Sequence, residues 1–98
     1  MQQQVKASPA FVQAVESIDT ALDGVVDHGS DDELFIASYL QGHFAVEARK
    51  LELDDTASVA SLDEALRQSL QDAFTNNELE PADQQAVFAL WQKLLSAL

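Results

Sequence analysis

The residues of this chain best suited to acid–base or metal chemistry are its two histidines and the carboxylates around them. His28 follows Asp27, and Gly29, Ser30, Asp31, Asp32 and Glu33 come directly after it. His43 stands one helical turn before Glu47, so on a helix the two side chains could share a cation or a hydrogen bond. An imidazole titrates near neutral pH and ligates transition metals when neutral. A transition-metal site, however, needs three or four converging ligands. His28 and His43 lie on either side of a helix start and are separated by roughly 20 Å at about 1.5 Å rise per residue, so one ion cannot be held by both within one chain. Asp27, Asp31 and Asp32 offer oxygen ligands to a hard cation, with little to specify the site.

Much other chemistry is missing from the sequence. The chain has no cysteine, which excludes disulfides, thiolate zinc sites and a thiol nucleophile. It has no Glu-x-x-His pair of the kind that builds carboxylate-bridged metal centres in helical bundles. It also lacks a glycine-rich phosphate loop and a His-Glu-x-x-His helix. The expectation is therefore a non-catalytic protein without a cofactor, with a metal or acid–base site at His28 or His43 as the alternative.

The polar corner also has a complete structural explanation. Ser8-Pro9 starts a first helix, because Ser caps and Pro fits the first helical position. Phe11, Val15, Ile18, Leu22 and Val25 then recur at helical spacing. Gly29 stops that helix, with His28 in its last turn at the negative end. Ser30 caps the second helix, Glu33 completes a capping box, and Asp31 and Asp32 sit at the positive helix end. So short a connection makes the first two helices antiparallel neighbours.

The second helix, to about Leu53, is apolar on two faces. Ile36, Leu40, Phe44, Ala48 and Leu51, with Ala37 beside them, form a core stripe. Phe35, Tyr39, Gly42 and Val46 form a second strip roughly opposite. A surface helix ordinarily has one apolar face. Either a neighbouring helix of the same bundle closes on Gly42, or the strip is a dimer seam or a partner groove. Gly42 is unfavourable mid-helix by about 1 kcal/mol relative to Ala, which suits a position where another backbone comes close.

Residues 54–60 read as a loop in which a helix could begin as early as Thr56. Ser61 to Glu64 reads as a second capping box. Leu62, Leu66, Leu70 and Phe74 mark the third helix, and Asn76-Asn77 ends it. Glu80-Pro81 begins the fourth, with Val87, Phe88, Trp91, Leu94, Leu95 and Leu98 on its apolar stripe and Trp91 as a core anchor. The expected fold is all-α: a four-helix, mostly antiparallel bundle with short loops, at roughly 8–28, 31–53, 61–75 and 81–97. Residues 1–7 are expected to form a frayed tail, and 8–98 a single domain.

Charge narrows the partners. Seventeen acidic residues stand against five basic ones, for a net charge of -12. Such a surface disfavours phosphate backbones and anionic lipids and permits a basic protein. Glu16, Asp19, Asp23 and Asp27 form a continuous acidic stripe on the first helix. It is a solvated face, a surface that steers a basic partner, or the flank of a nucleic-acid-mimicking decoy. No apolar run reaches the ~18 residues of a membrane span, and Met1 to Lys6 lacks a signal core, so the cytoplasm is the expected location. A protein partner or a homodimer is expected, with no direct nucleic-acid binding, no membrane contact and no evident small-molecule substrate.

The run from Leu22 to Leu53 resembles the YfcL family of small bacterial proteins. Asp23-Gly24, Val26-Asp27-His28, Ser30 to Phe35, Tyr39-Leu40 and Gly42-His43 carry the resemblance. It continues through Gln68-Ser69-Leu70, Glu78-Leu79, Pro81, Asp83, Gln84 and Trp91. Glu80 departs from the pattern, since a Ser cap is expected before the Pro. The resemblance implies a bacterial cytosolic protein and carries over no catalytic residue.

Overall fold

The computed structural model describes residues 5–98. Four helices follow one another: α1 (Pro9–His28), α2 (Asp31–Glu52), α3 (Val59–Thr75) and α4 (Pro81–Ser96). The described residues contain no strand, and none of their helices is long and apolar enough to cross a membrane.

Each boundary has a local cause. Ser8 and Ser30 are extended and accept hydrogen bonds from Phe11 and Glu33 backbone N–H groups, satisfying donors that the first helical turn leaves free. Gly29 ends α1 by donating its N–H to Val25 O at 2.7 Å. Its φ of -78° is open to any residue, so glycine is required there for space. A Cβ at Gly29 would stand 2.6 Å from Val25 O. After α3, Asn77 adopts φ 59°, the left-handed conformation that Asn tolerates.

Two expectations need correction. The third helix starts at Val59, two residues before Ser61, and its cap is Ser58. Ser58 Oγ accepts from Ser61 N at 3.1 Å, and Ser61 Oγ accepts from Ser58 N at 2.8 Å. A serine thus takes the return-bond role that the sequence assigned to Glu64. In the connection before it, Asp54 accepts from the Thr56 hydroxyl and backbone, which hold its carboxyl below the usual range. The second correction concerns the amino-terminal lead-in. Residues 1–4 of the expected tail lie outside the described residues. Lys6 and Ala7 donate their N–H groups to Glu52 O at 2.7 and 3.1 Å, and Ala7 is buried. The carbonyls at the end of α2 need donors, and this segment supplies them.

Register fixes the helix directions. Glu52 O meets Lys6 near the start of α1, and Gln41 bonds Asp23 near its end, so α1 and α2 are antiparallel. Tyr39 stacks on Phe74 while His43 meets Ser69, so α2 and α3 are antiparallel. Trp91 reaches Asp63 and Phe88 meets Phe74, so side chains of α4 bridge to both ends of α3. α2 approaches all three other helices closely.

The core joins four stripes: Phe11, Val15, Ile18 and Leu22; Ala37, Leu40, Phe44 and Ala48; Leu62, Leu66, Leu70 and Phe74; and Val87, Trp91 and Leu94. Trp91 is fully buried, with its ring centroid 5.9 Å from that of Phe44. Its indole N–H donates to Asp63 Oδ1 at 2.7 Å, meeting the need of a buried tryptophan for an acceptor. Arg67 Nε bonds the same oxygen at 2.7 Å, and a second Arg67 nitrogen reaches Gln92 at 2.9 Å, tying α3 to α4. On α2 the buried line runs through Ala37, and Ile36 and Leu51 are only partly covered. At Glu80, where the Ser cap is missing, the side chain makes no capping bond.

Candidate interaction surface

The second strip of α2 is largely left outside the bundle. Phe35 is 51% exposed and Val46 is 53% exposed. Leu34 and Leu53 add partly exposed apolar surface near the two ends of the helix. Gly42 is exposed between Phe35 and Val46, and a Cβ built on it would meet nothing within 4 Å. Of the two alternatives for Gly42, a neighbouring helix closing on it is not found among the described residues. Tyr39 behaves differently from the other three. Its hydroxyl donates to Glu78 Oε1 at 2.8 Å, and its ring lies 6.1 Å from Phe74 and 4.9 Å from His43 between centroids. Burial, and then the Glu78 carboxylate, push the phenol pKa up to about 12. Tyr39 thus belongs partly to the fold and forms one flank of the strip.

The polar corner is not gathered into a site. His28 is exposed at the end of α1. Ser30 and Glu33 are occupied with each other in the capping box, at 3.2 and 3.0 Å. The Ser30 backbone N–H, then its hydroxyl, hold the Glu33 carboxyl below its usual range. Asp31 and Asp32 are exposed in the first turn of α2. His43 is half-buried further along, with Nδ1 2.9 Å from Ser69 Oγ on α3. Glu47, the expected partner of His43, instead accepts from Lys50 at 3.5 Å. Among the described residues no three His, Cys, Asp or Glu side chains come together in a way that could hold a metal ion.

The acidic row on α1 is partly turned inward. Asp23 accepts from Gln41 Nε2 at 2.8 Å across the α1–α2 seam. Asp19 is half-buried beside the same seam. Burial raises its pKa, the Asp23 charge adds to the rise, and Arg49 opposes it. Glu16 and Asp27 are exposed.

Two grooves flank these elements. One of about 740 Å³ lies among Ala10, Ala14, Ser17, Ala60, Leu95 and Leu98. One of about 320 Å³ is floored by Val25, Ile36 and Leu90 and rimmed by Asp32, Glu33 and Lys93. Neither is lined by a histidine.

Sequence spacing did not point to Asp63, Ser69 or Glu78 as partners of Trp91, His43 and Tyr39. The signal available was the demand itself: a packed Trp, His or Tyr needs a polar partner, but only helix placement decides which residue supplies it.

Comparison with known proteins gives these helices a lineage. The family model described as "YfcL protein" matches residues 12–96, which span nearly all of the four-helix core. The chain belongs to the YfcL family. It is 42% identical over 73 residues to "Uncharacterized protein YfcL" of Escherichia coli (strain K12), an alignment covering 74% of this chain and 79% of that one. No solved structure matches. The part matched by the YfcL model contains the whole outer strip of α2 and both histidines.

Proposed function

We propose that this YfcL family member is a non-catalytic interaction protein whose contact surface is the outer face of α2, centred on Phe35, Gly42 and Val46. The supporting observation is that the helix packed against every other helix still presents two half-exposed large apolar side chains with an open glycine between them. A core helix has no packing need for such a strip, and a protein surface patch of this kind is suited to docking. The absence of converging carboxylates around either histidine among the described residues gives acid–base chemistry less support. The decoy reading is weaker too, because Asp19 and Asp23 are engaged at the α1–α2 seam.

Tyr39 is a poor position for testing this, since a change there also removes the Glu78 bond and the Phe74 contact. Val46 has no such role. A photo-crosslinking amino acid placed at Val46 is expected to form protein adducts in cells. The same group at Gln85, exposed on α4, is expected to form none. Equal labelling from both positions would overturn the assignment of the surface.

A further inference from the structure

The outer face of α2 carries a symmetry that specifies what covers it. Phe35 stands as far before the Leu40–Gln41 step as Val46 stands after it, and Tyr39 and Gly42 are related in the same way. The charges follow the same centre. Asp31 and Asp32 are exposed at the start of the helix, and Arg49 and Lys50 are exposed at its end. At about 100° per residue, Asp31 and Arg49 fall on one flank of the apolar strip and Asp32 and Lys50 on the other. The acidic and basic ends are roughly 27 Å apart at about 1.5 Å rise per residue, too far to neutralise each other within one helix. Two of the five basic residues of a chain carrying -12 are placed here.

We propose that a second copy of this chain covers the face, with α2 packed antiparallel on α2 about a two-fold axis at the Leu40–Gln41 step. The inference rests on the outer face of α2 being a contact surface, and it names the partner. In this arrangement Phe35 of each copy meets Val46 of the other. Tyr39 sits beside the open surface of Gly42, where the missing side chain lets the two backbones approach. Asp31 faces Arg49 of the other copy, and Asp32 faces Lys50. A parallel pairing would set like charges against each other, so only the antiparallel register fits. The contact is isologous: each copy offers the same patch, and the assembly closes at two. Competing contacts within one copy are weak. Lys50 is largely exposed and reaches Glu47 only at 3.5 Å, and among the described residues Arg49 feels Asp19 without an ion pair. At physiological salt, where screening acts over about 8 Å, the long-range repulsion between two acidic bodies is damped while charges in contact still attract.

Charge reversal tests the register. Sedimentation equilibrium is carried out on the full chain, on an Asp31→Lys/Asp32→Lys variant, on an Arg49→Glu/Lys50→Glu variant and on their equimolar mixture. The wild-type chain is expected to dimerise. Each variant alone faces like charges and is expected to dimerise roughly tenfold or more weakly. The mixture is complementary at every pair and is expected to recover the dimer, which also shows that both variants fold. A wild-type chain that stays monomeric at its highest soluble concentration would overturn the proposal. So would a dimer that is insensitive to both variants. A monomer that still forms Val46 adducts with other proteins would remove the second copy and leave the contact surface standing. Loss of the Val46 adducts as well would remove both.

Discussion

Tyr39 and Asp19 show how single residues read their surroundings. Tyr39 is the chain's one tyrosine, so its ionisation can be followed without ambiguity. Its neutral form is favoured by burial and by the bond it donates to Glu78. A folded-state pKa raised above the unfolded value of about 10 gives stability that is whole below pH ~10 and is lost as pH climbs further. Phenolate absorbance is expected to rise with a midpoint of about 12. Glu78→Gln is expected to move that midpoint downward, and a wild-type midpoint at the ordinary tyrosine value would show that the contact does not form. Asp19 has the same sign of shift with a different consequence. Its carboxyl is raised by burial and by Asp23, so the charged form works against the fold at neutral pH. Asp19→Asn is expected to raise the urea midpoint at pH 7. The gain should vanish in acid, where the wild-type carboxyl is protonated too.

At the scale of a helix, three glycines have three different meanings. Gly29 is fixed by crowding, since a Cβ there would press on the Val25 carbonyl oxygen and on the Glu33 side chain. Gly29→Ala is expected to destabilise the fold by about 1–3 kcal/mol, as overpacked sites do. Gly24 lies inside α1 with open space around it. Gly24→Ala is expected to stabilise by about 0.5–1 kcal/mol, the ordinary gain from removing an interior helix glycine. Chemical denaturation of the two variants checks the opposite signs. Gly42 resembles Gly24 in its open surroundings within one chain. What separates it is the half-exposed Phe35 and Val46 on either side, which is why its openness is read as room for a partner.

For the whole molecule, α2 is the scaffold on which the other helices assemble. Its buried line of Ala37, Leu40, Phe44 and Ala48 sets two large side chains between two small ones, and α1, α3 and α4 all pack close to this helix. Truncation anywhere in this shared core should be felt globally. Leu66→Ala is expected to cost about 2–5 kcal/mol, because a fully buried leucine leaves a cavity that rigid neighbours cannot fill. A small two-state domain should show that loss as one lowered transition by both circular dichroism and Trp91 fluorescence. Separate transitions by the two probes would mean that α4 docks independently of the rest.

The residue types and their periodicity were enough to determine four helices, most of their ends and the buried stripes. Those features are local: a serine before a helical run, a proline at its first turn, or leucines four apart act within a few residues of themselves. The Ser58 start of α3 was missed because Ser61 substitutes for the acidic partner that a capping box ordinarily displays. The seating of Lys6 and Ala7 was missed because it depends on the distant end of α2. Tertiary structure alone decided that Tyr39 turns toward Glu78 while Phe35 and Val46 stay outside, although all three share one apolar strip in the sequence. Periodicity places a side chain on a face of a helix, but whether that face is covered depends on where the other three helices dock.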